Sequence, residues 1–346
     1  MLSLTSFINN HIHGVLIRGV FVSMKISCFA LEDFERDYLK DHLSGHELRF
    51  DDAVLSESNV DNHADADVIV IFVFSKVTSS IIDKLPSLKL IATMSTGFDH
   101  IDMTYANKKN ITVKTVPFYG QNTVAEHAFG LLLALNRHIV EAVSRTRLCN
   151  FDFSGLMGSD LQGKMLGVIG GGNIGRHMIR YAKAFGMNVI VSDAHPDPDL
   201  AHKMGFMYVS KDDLCKQSDI ITLHLPLVSS TFHLLGESEF SMMKKGVLII
   251  NTGRGPLIDT TALINALDSG VVGGAALDVL EEENDLKQES RLALDSNVDK
   301  DRMSLIVKNH ELLHRPNVII TPHLAFYTKE ALIRILETTV ENINSR

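Results

Sequence analysis

The sequence predicts an α/β protein built as two parallel-sheet domains, each with helices on both faces, and a cleft between them. Three observations carry this expectation. From Met24 onward, short β-branched runs alternate with helical patterns almost to the last residue. Near the middle, the stretch Met165-Leu-Gly-Val-Ile-Gly-Gly-Gly-Asn-Ile-Gly175 sets a G-x-G-x-x-G spacing between an apolar run and a helical pattern. Finally, 346 residues are too many for one compact core, so two domains are expected.

Residues 1–23 are expected to be an N-terminal extension. Their run Gly14-Val-Leu-Ile-Arg-Gly-Val-Phe-Val22 is broken by Arg18 and has no small-x-small cleavage pattern. Lys25–Ala30 reads as the first strand. Leu31–His42 reads as a helix with Leu31, Phe34, Tyr38 and Leu39 near one face. Asp67–Phe74 is nearly continuous in apolar residues, as in a strand buried on both sides. Ser79–Leu85 is a short helix closed by Pro86. Leu88–Ser95 and Ile111–Val116 are further strands. The longest helical signal runs from Thr123 to about Asn150, with Ala125, Ala128, Leu131, Leu132 and Leu135 on one face.

The second βαβ series begins at Met165. A helix is expected from Asn173 to Phe185, ended by Gly186, and then the strand Asn188–Asp193. Further strands are expected near Met207–Val209, Asp219–Leu225, Gly246–Asn251, Gly273–Val279 and Asn317–Thr321. Ser210-Lys-Asp-Asp213 has the form of a capping box, and Asp259 suits the N-cap of a helix that ends before Gly270. Glu281 to Arg315 is long, polar and acid-rich, with helical character around Ser304–Leu313. It suggests a surface excursion or a partner contact. An amphipathic helix, Thr328–Asn344, closes the chain.

The glycine motif makes a specific chemical statement because its context is complete. Gly170 suits the tight turn, Gly172 lets backbone approach a pyrophosphate, and Gly175 lets the helix pack closely on the strand. The helix N-terminus at Asn173 and Ile174 then presents free N–H groups and a positive dipole end to phosphates. Asp193, at the end of the next strand, can accept from a ribose 2′-OH and would repel a 2′-phosphate. No Lys or Arg follows before Lys203, so NAD is expected rather than NADP.

Composition excludes other classes. A net charge of −9 argues against nucleic acid, which needs a basic face. No apolar run reaches the roughly 18 residues of a membrane span. Cys28, Cys149 and Cys215 are scattered and odd in number, which suggests a reducing, cytoplasmic setting. No metal-ligating set is expected among the sixteen histidines.

A nicotinamide enzyme acting on an acid needs a cation for the substrate and an acid/base for its oxygen. Three strand ends supply candidates. Arg254 follows the strand 246–251 in a glycine-rich turn, where a planar guanidinium can clamp a carboxylate or polarise a carbonyl. Asp278 ends the strand 273–279, and Glu283 follows closely enough to partner a histidine. His323 ends the strand Asn317-Val-Ile-Ile-Thr-Pro-His323 and suits reversible proton transfer near neutral pH.

Several long motifs together resemble the D-isomer-specific 2-hydroxyacid dehydrogenase family, and most closely its fermentative D-lactate dehydrogenase branch. They are Ser95-Thr-Gly-Phe-Asp-His-Ile-Asp102, Val116-Pro-Phe-Tyr-Gly-Gln-Asn-Thr-Val-Ala-Glu126, the glycine motif, Leu223-His-Leu-Pro-Leu227, Asn251-Thr-Gly-Arg-Gly255, Leu277-Asp-Val279 and Thr321-Pro-His-Leu-Ala-Phe-Tyr327. The likeness covers about Met24 to Asn344. Met94 departs from it, standing where related sequences commonly carry a basic residue.

The resemblance implies a flavodoxin-like substrate domain of residues 24–118 plus 327–346, and an NAD-binding Rossmann domain of residues 119–326. It implies that Arg254 binds the substrate carboxylate and keto oxygen, that His323 is the general acid or base, and that Glu283 is its partner. Backbone N–H groups near Thr96 and Gly97 would hold the carboxylate, with Tyr119 reaching the substrate and Phe74 and Phe326 lining its pocket. Thr252, Gly253, Asp278 and Pro226 would border the cofactor. A homodimer through the NAD-binding domain and a small 2-keto or 2-hydroxy acid substrate are implied. Kept beside D-lactate dehydrogenase are a dehydrogenase for a bulkier 2-keto acid or for hydroxypyruvate or glyoxylate, and a non-catalytic NAD-sensing protein on the same fold.

Overall fold

A computed structural model of the chain describes residues 23–283 and 300–345. The expected N-terminal extension lies outside them, apart from Ser23, as does the middle of the 281–315 segment.

The first strands form one sheet. They are β1 (Lys25–Phe29), β2 (Glu47–Asp51), β3 (Val68–Ile71), β4 (Leu90–Thr93) and β5 (Thr112–Lys114), in the spatial order β2-β1-β3-β4-β5, all parallel. This is the flavodoxin-like order. β3 and β4 are buried at every position, which explains their unbroken apolar runs. β2 escapes a pattern-based reading because Glu-Leu-Arg-Phe-Asp is an edge strand, half-covered and paired only with β1. Between the strands lie α1 (Asp33–His42), α2 (Ser79–Asp83) and α3 (Met103–Lys108). In α1 Leu39 is buried but Phe34 is exposed, so the inward stripe is narrower than the sequence suggests.

The helical signal at 123–150 resolves into two helices, α4 (Gln121–Asn136) and α5 (Ile139–Arg147). The break is at His138, whose φ of 49° is left-handed and cannot continue an α-helix. α4 buries Ala125, Ala128, Leu131, Leu132 and Leu135, whereas α5 buries nothing. Fully burying one such leucine is worth about 1.5–3 kcal/mol, so α4 is held by packing and α5 is not.

The second sheet has seven strands: β6 (Met165–Ile169), β7 (Asn188–Ser192), β8 (Met207–Tyr208), β9 (Ile220–Leu223), β10 (Val247–Asn251), β11 (Val272–Leu277) and β12 (Val318–Ile320). Their order is β12-β11-β10-β9-β6-β7-β8, again all parallel. Order reverses between β6 and β9, and the doubly wound rule places the ligand crevice there. The covering helices are α6 (Asn173–Ala184), α7 (Pro198–Met204), α8 (Lys211–Gln217), α9 (Glu237–Met242) and α10 (Thr260–Asp268). Ser210 caps α8 through the Asp213 N–H, and Asp259 caps α10 through the Ala262 N–H. The Ser210 hydroxyl also donates to the Asp213 carboxylate.

Two further helices depart from plain alternation. α11 (Lys300–Leu313) occupies the later part of the 281–315 segment and buries Ile306 and Leu312. Its Asn309 amide donates to the Glu281 carbonyl. That part is therefore packed helix rather than open loop. α12 (Lys329–Asn344) returns to the first sheet, where Leu332, Ile335, Leu336 and Ile343 share a core with Ile26, Val68, Val70, Leu90 and Met94. Met94 is thus a core residue.

Candidate active site

Carboxyl ends of both sheets face one cleft, and every candidate group leaves a strand end there. On the first sheet, β3 stops at Ile71, shorter than its apolar run suggests. Phe72 and Phe74 consequently lie in the turn after it. β4 feeds the loop 95–102, and β5 leads to Tyr119. On the second sheet, β10 ends at Asn251 and delivers Thr252, Gly253 and Arg254; β11 leads to Asp278 and Glu283; β12 leads to His323.

His323 and Glu283 are brought together. Nδ1 of His323 lies 2.6 Å from Glu283 Oε1, and both side chains are largely buried. An ionised carboxylate only accepts, so Nδ1 carries the proton in this pair and Nε2 is the nitrogen left for exchange. His323 has φ 54°, a left-handed value uncommon outside glycine.

Asp278 holds that strained turn. Its carboxylate is buried and accepts N–H groups of Leu324 (3.0 Å) and Ala325 (2.8 Å) and the Thr321 hydroxyl. Its carbonyl accepts the His323 N–H at 2.9 Å. Burial alone would raise the Asp278 pKa. Hydrogen bonds from His127, Thr321 and the Ala325 and Leu324 backbone outweigh it and hold the carboxyl below its usual value. His127 of α4 reaches this cluster, with Nε2 3.2 Å from Thr321 Oγ1. The Asp278 side chain, placed beside the cofactor on sequence grounds, is bonded into the 321–325 turn.

Arg254 stands on the same side of the cleft. Its Nη1 donates to the Gly253 carbonyl at 2.9 Å, and its Nε reaches Asp99 Oδ1 at 3.3 Å across the cleft. The guanidinium lies against Gly97 so closely that a Cβ there would overlap Nη2. Thr96 is exposed, and its hydroxyl ties the loop to the Val116 carbonyl at 2.8 Å.

An aromatic cluster lies beside these groups. The Phe74 ring meets His323 edge-on at 6.2 Å, Phe72 lies 4.8 Å from Phe326, and Tyr119 lies 6.5 Å from Phe326. Burial pushes the Tyr119 phenol up to about 12, with the Arg254 charge opposing. It therefore stays a neutral hydrogen-bond donor at physiological pH. Phe72 was not among the expected pocket residues. Its two-residue offset from Phe74, just past the end of β3, is the only trace of this in the sequence.

The glycine turn fits a dinucleotide. Gly170 has φ 97°, and a Cβ there would press into the His224 carbonyl. Gly172 caps α6 with no side-chain hydrogen bond, and a Cβ on it would meet nothing within 4 Å, so the helix N-terminus is open. Asn173 is exposed and Ile174 half-buried beside it, while Gly175 packs on Gly170. Asp193 stands at the end of β7 and accepts the Gly171 N–H at 2.7 Å and the His195 N–H at 2.8 Å. Across the crevice Pro226 is exposed, and the buried Thr252 hydroxyl has no hydrogen-bond partner among the described residues. A buried orphan hydroxyl is costly unless a ligand satisfies it.

His310-Glu311-Leu312-Leu313-His314 places one histidine in the last turn of α11 and one just past its end, with ring centroids 6.4 Å apart. Glu311 is paired with Arg315, and His314 Nδ1 lies 2.7 Å from the His310 carbonyl oxygen. Among the described residues no group of three or more His, Cys, Asp or Glu could hold a metal ion. Nor, among them, is any helix long and apolar enough to cross a membrane.

A sequence model described as "D-isomer specific 2-hydroxyacid dehydrogenase, NAD binding domain" matches residues 129–325. A 2-hydroxyacid dehydrogenase homolog of Haemophilus influenzae is 38% identical over 327 residues, 92% of this chain and 95% of that protein. The D-lactate dehydrogenase of Escherichia coli is 37% identical over 326 residues, 93% of this chain and 96% of that protein. The crystal structure of D-lactate dehydrogenase from Aquifex aeolicus, complexed with NAD and lactic acid, superposes with a TM-score of 0.83 at 36% identity. That match covers 92% of this chain and 94% of the other.

Proposed function

The chain belongs to the D-isomer specific 2-hydroxyacid dehydrogenase family, and on that footing we propose that it reduces pyruvate to D-lactate with NADH. The observation that carries this reading is the convergence of Arg254 and the His323–Glu283 pair on one cleft, from three strand ends of the second sheet. A binding protein has no need of a cation and an oriented acid/base at the same place, so the same observation disfavours a purely NAD-sensing role.

Bound NADH supplies the hydride for the keto carbon. The chain's own groups do the rest. Arg254 takes the substrate carboxylate and the keto oxygen on its fork, and so stabilises negative charge developing on that oxygen. The N–H groups of Thr96 and Gly97 hold the carboxylate from the first sheet. His323 gives the oxygen its proton from Nε2, while Glu283 fixes the ring and its tautomer from Nδ1. Asp278 keeps His323 in place through the turn it anchors. Phe74, Phe326 and Tyr119, joined by Phe72, line the side-chain pocket.

Cofactor contacts are assigned to Gly170, Gly172, Asn173, Ile174 and Gly175 at the pyrophosphate, to Asp193 at the ribose, and to Pro226, Thr252, Gly253 and Asp278 on the nicotinamide side. We assign residues 24–118 with 327–346 to the substrate domain and 119–326 to the NAD-binding domain; the return of α12 to the first sheet supports that division.

Dimerisation is proposed through α5 and the segment after it. Leu148, Phe151, Phe153 and Met157 are each more than three-quarters exposed there, beside the half-exposed Ile139 and Val140. Several large apolar side chains left exposed along one short stretch favour an interface there. The free cysteines support a cytoplasmic, reducing setting.

The test is steady-state NADH oxidation with pyruvate, phenylpyruvate, 2-ketoisocaproate, hydroxypyruvate and glyoxylate, followed by chiral analysis of the product. Highest kcat/KM on pyruvate with D-lactate formed is the expected result. Preference for another acid replaces the substrate, and NADH binding without turnover on any of them overturns the enzymatic reading.

A further inference from the structure

The Arg254 guanidinium has its three nitrogens in different surroundings. Nη1 faces the carbonyl of Gly253, its own neighbour, at 2.9 Å. Nη2 lies on Gly97, where a Cβ would overlap it. Nε, on the opposite edge from the terminal fork, reaches Asp99 Oδ1 at 3.3 Å. Asp99 belongs to the first sheet and Arg254 to the second, so this ion pair spans the cleft.

The loop that carries Asp99 is fixed on several sides. The Ser95 hydroxyl donates to the Gly97 carbonyl at 2.7 Å, and the Ile101 N–H to the Phe98 carbonyl at 3.0 Å. Val77 and the loop exchange two backbone bonds, Val77 N–H to His100 O and Asp102 N–H to Val77 O. His100 folds inward, with Nε2 3.1 Å from Thr93 Oγ1. Burial is the main cause that lowers its pKa to about 4, so it adds no positive charge to compete with Arg254 for Asp99.

We propose that Asp99 is a positioning residue for 2-oxo acid reduction: it holds Arg254 by Nε from across the cleft and so presents the terminal fork to the substrate carboxylate. This rests on the function proposed above. The geometry favours positioning over competition, because Asp99 sits on Nε and not on the two terminal nitrogens that suit a bidentate carboxylate. An arginine side chain has several rotatable bonds, and a preset orientation lowers the entropy lost when substrate binds. The link also means that the substrate-binding cation is set only when the two halves of the cleft are together.

The experiment compares Asp99→Ala and Asp99→Asn with the parent enzyme in the presence of NADH. Three quantities are read: kcat and KM for pyruvate, the Kd of NADH, and the Kd of oxamate for the NADH-bound enzyme. Oxamate is a non-reducible isostere of pyruvate. Asp99 is half-exposed, so the expected effect of Ala is modest: KM and the oxamate Kd rise roughly fivefold, as befits a partly exposed ion pair. The NADH Kd stays unchanged. Asn keeps an acceptor for Nε–H and restores most of the loss.

A double-mutant cycle with Arg254→Lys, read as oxamate affinity, isolates the route. Lysine has no Nε–H counterpart, so Asp99→Ala has no further effect in that background. Additive losses overturn the proposal, as do an unchanged KM and oxamate Kd in Asp99→Ala, a tighter oxamate complex in that variant, or an equal loss of NADH affinity. A parent enzyme that turns over no 2-oxo acid defeats the underlying functional reading instead, which separates the two failures.

Discussion

His323 Nδ1 and Glu283 Oε1 lie 2.6 Å apart although they leave different strands, β12 and β11, and are forty residues distant in the chain. The pairing gives the imidazole one orientation and one tautomer. His323→Ala is expected to lower kcat by about 10²–10⁴-fold, the usual contribution of a positioned general acid, with NADH binding retained. Glu283→Gln loses only the charge-assisted bond, worth about 1.5–3 kcal/mol, so its kcat should fall about ten- to a hundredfold. Fluorescence titration with NADH and single-turnover kinetics check both, and a near-normal kcat for His323→Ala would remove it from the mechanism.

Asp193 follows β7 and accepts the Gly171 N–H at 2.7 Å, which sets its carboxylate beside the glycine turn. Asp193→Ala should weaken NADH by about tenfold or more through lost charge-assisted bonds. It should weaken NADPH far less, since a repulsive charge leaves with it. The ratio of kcat/KM values for the two cofactors is the readout. A ratio that does not move refutes the ribose assignment.

The rings of Phe72, Phe74, Phe326 and Tyr119 pack together, and in the proposed site they set the size of the substrate pocket. Truncating Phe74 to Ala should shift preference from pyruvate toward 2-ketoisocaproate, by about 10–200-fold in relative kcat/KM if each lost methylene-sized contact is worth 1–3 kcal/mol. Phe72→Ala should act in the same direction but less, because its ring backs Phe74 and Phe326. Unchanged relative specificity in both variants would place the side-chain pocket elsewhere.

Acid should destabilise the protein before its carboxylates protonate. His100 and His224 are held neutral by burial, with pKa values lowered from 6.5 to about 4 and about 3. Between those values and 6.5 the unfolded chain binds more protons than the folded one, so stability rises with pH across that window. It is lost as pH falls from 6.5 toward 4. Thermal melts from pH 7.5 to 4.5 should show Tm dropping, with a shallower slope in His100→Gln. An equal slope in the variant would exclude His100 as a contributor.

Phe151 and Phe153 lie beyond α5 and are exposed, uncovered by any of the described residues. Replacing both with Asp should leave the fold intact and yield a monomer by sedimentation velocity, whereas the parent is expected to sediment as a dimer. A monomeric parent would overturn the proposed association.

Much of this molecule was legible in its residues. The unbroken apolar runs at 68–71 and 90–93 are strands because both faces of a parallel strand are buried, and the glycine motif specifies its own turn because only glycine fits beside the His224 carbonyl. Arg254, Glu283 and His323 could be named from their places at strand ends. The edge strand β2 and the break at His138 could not, since neither an exposed edge nor one left-handed residue leaves a periodic signature.

What the linear sequence determined was the set of strands, the dinucleotide turn and the chemical types at the strand ends, all of which follow from local pattern. Tertiary structure alone decided which groups meet. Phe72 joins the aromatic cluster because β3 stops at Ile71. Asp278 turns into the 321–325 loop because buried N–H groups there need an acceptor. Asp99 reaches Arg254 because two sheets, folded from distant parts of the chain, present their carboxyl ends to the same cleft. Such contacts depend on long-range packing, and the spacing of residues along a chain carries no record of it.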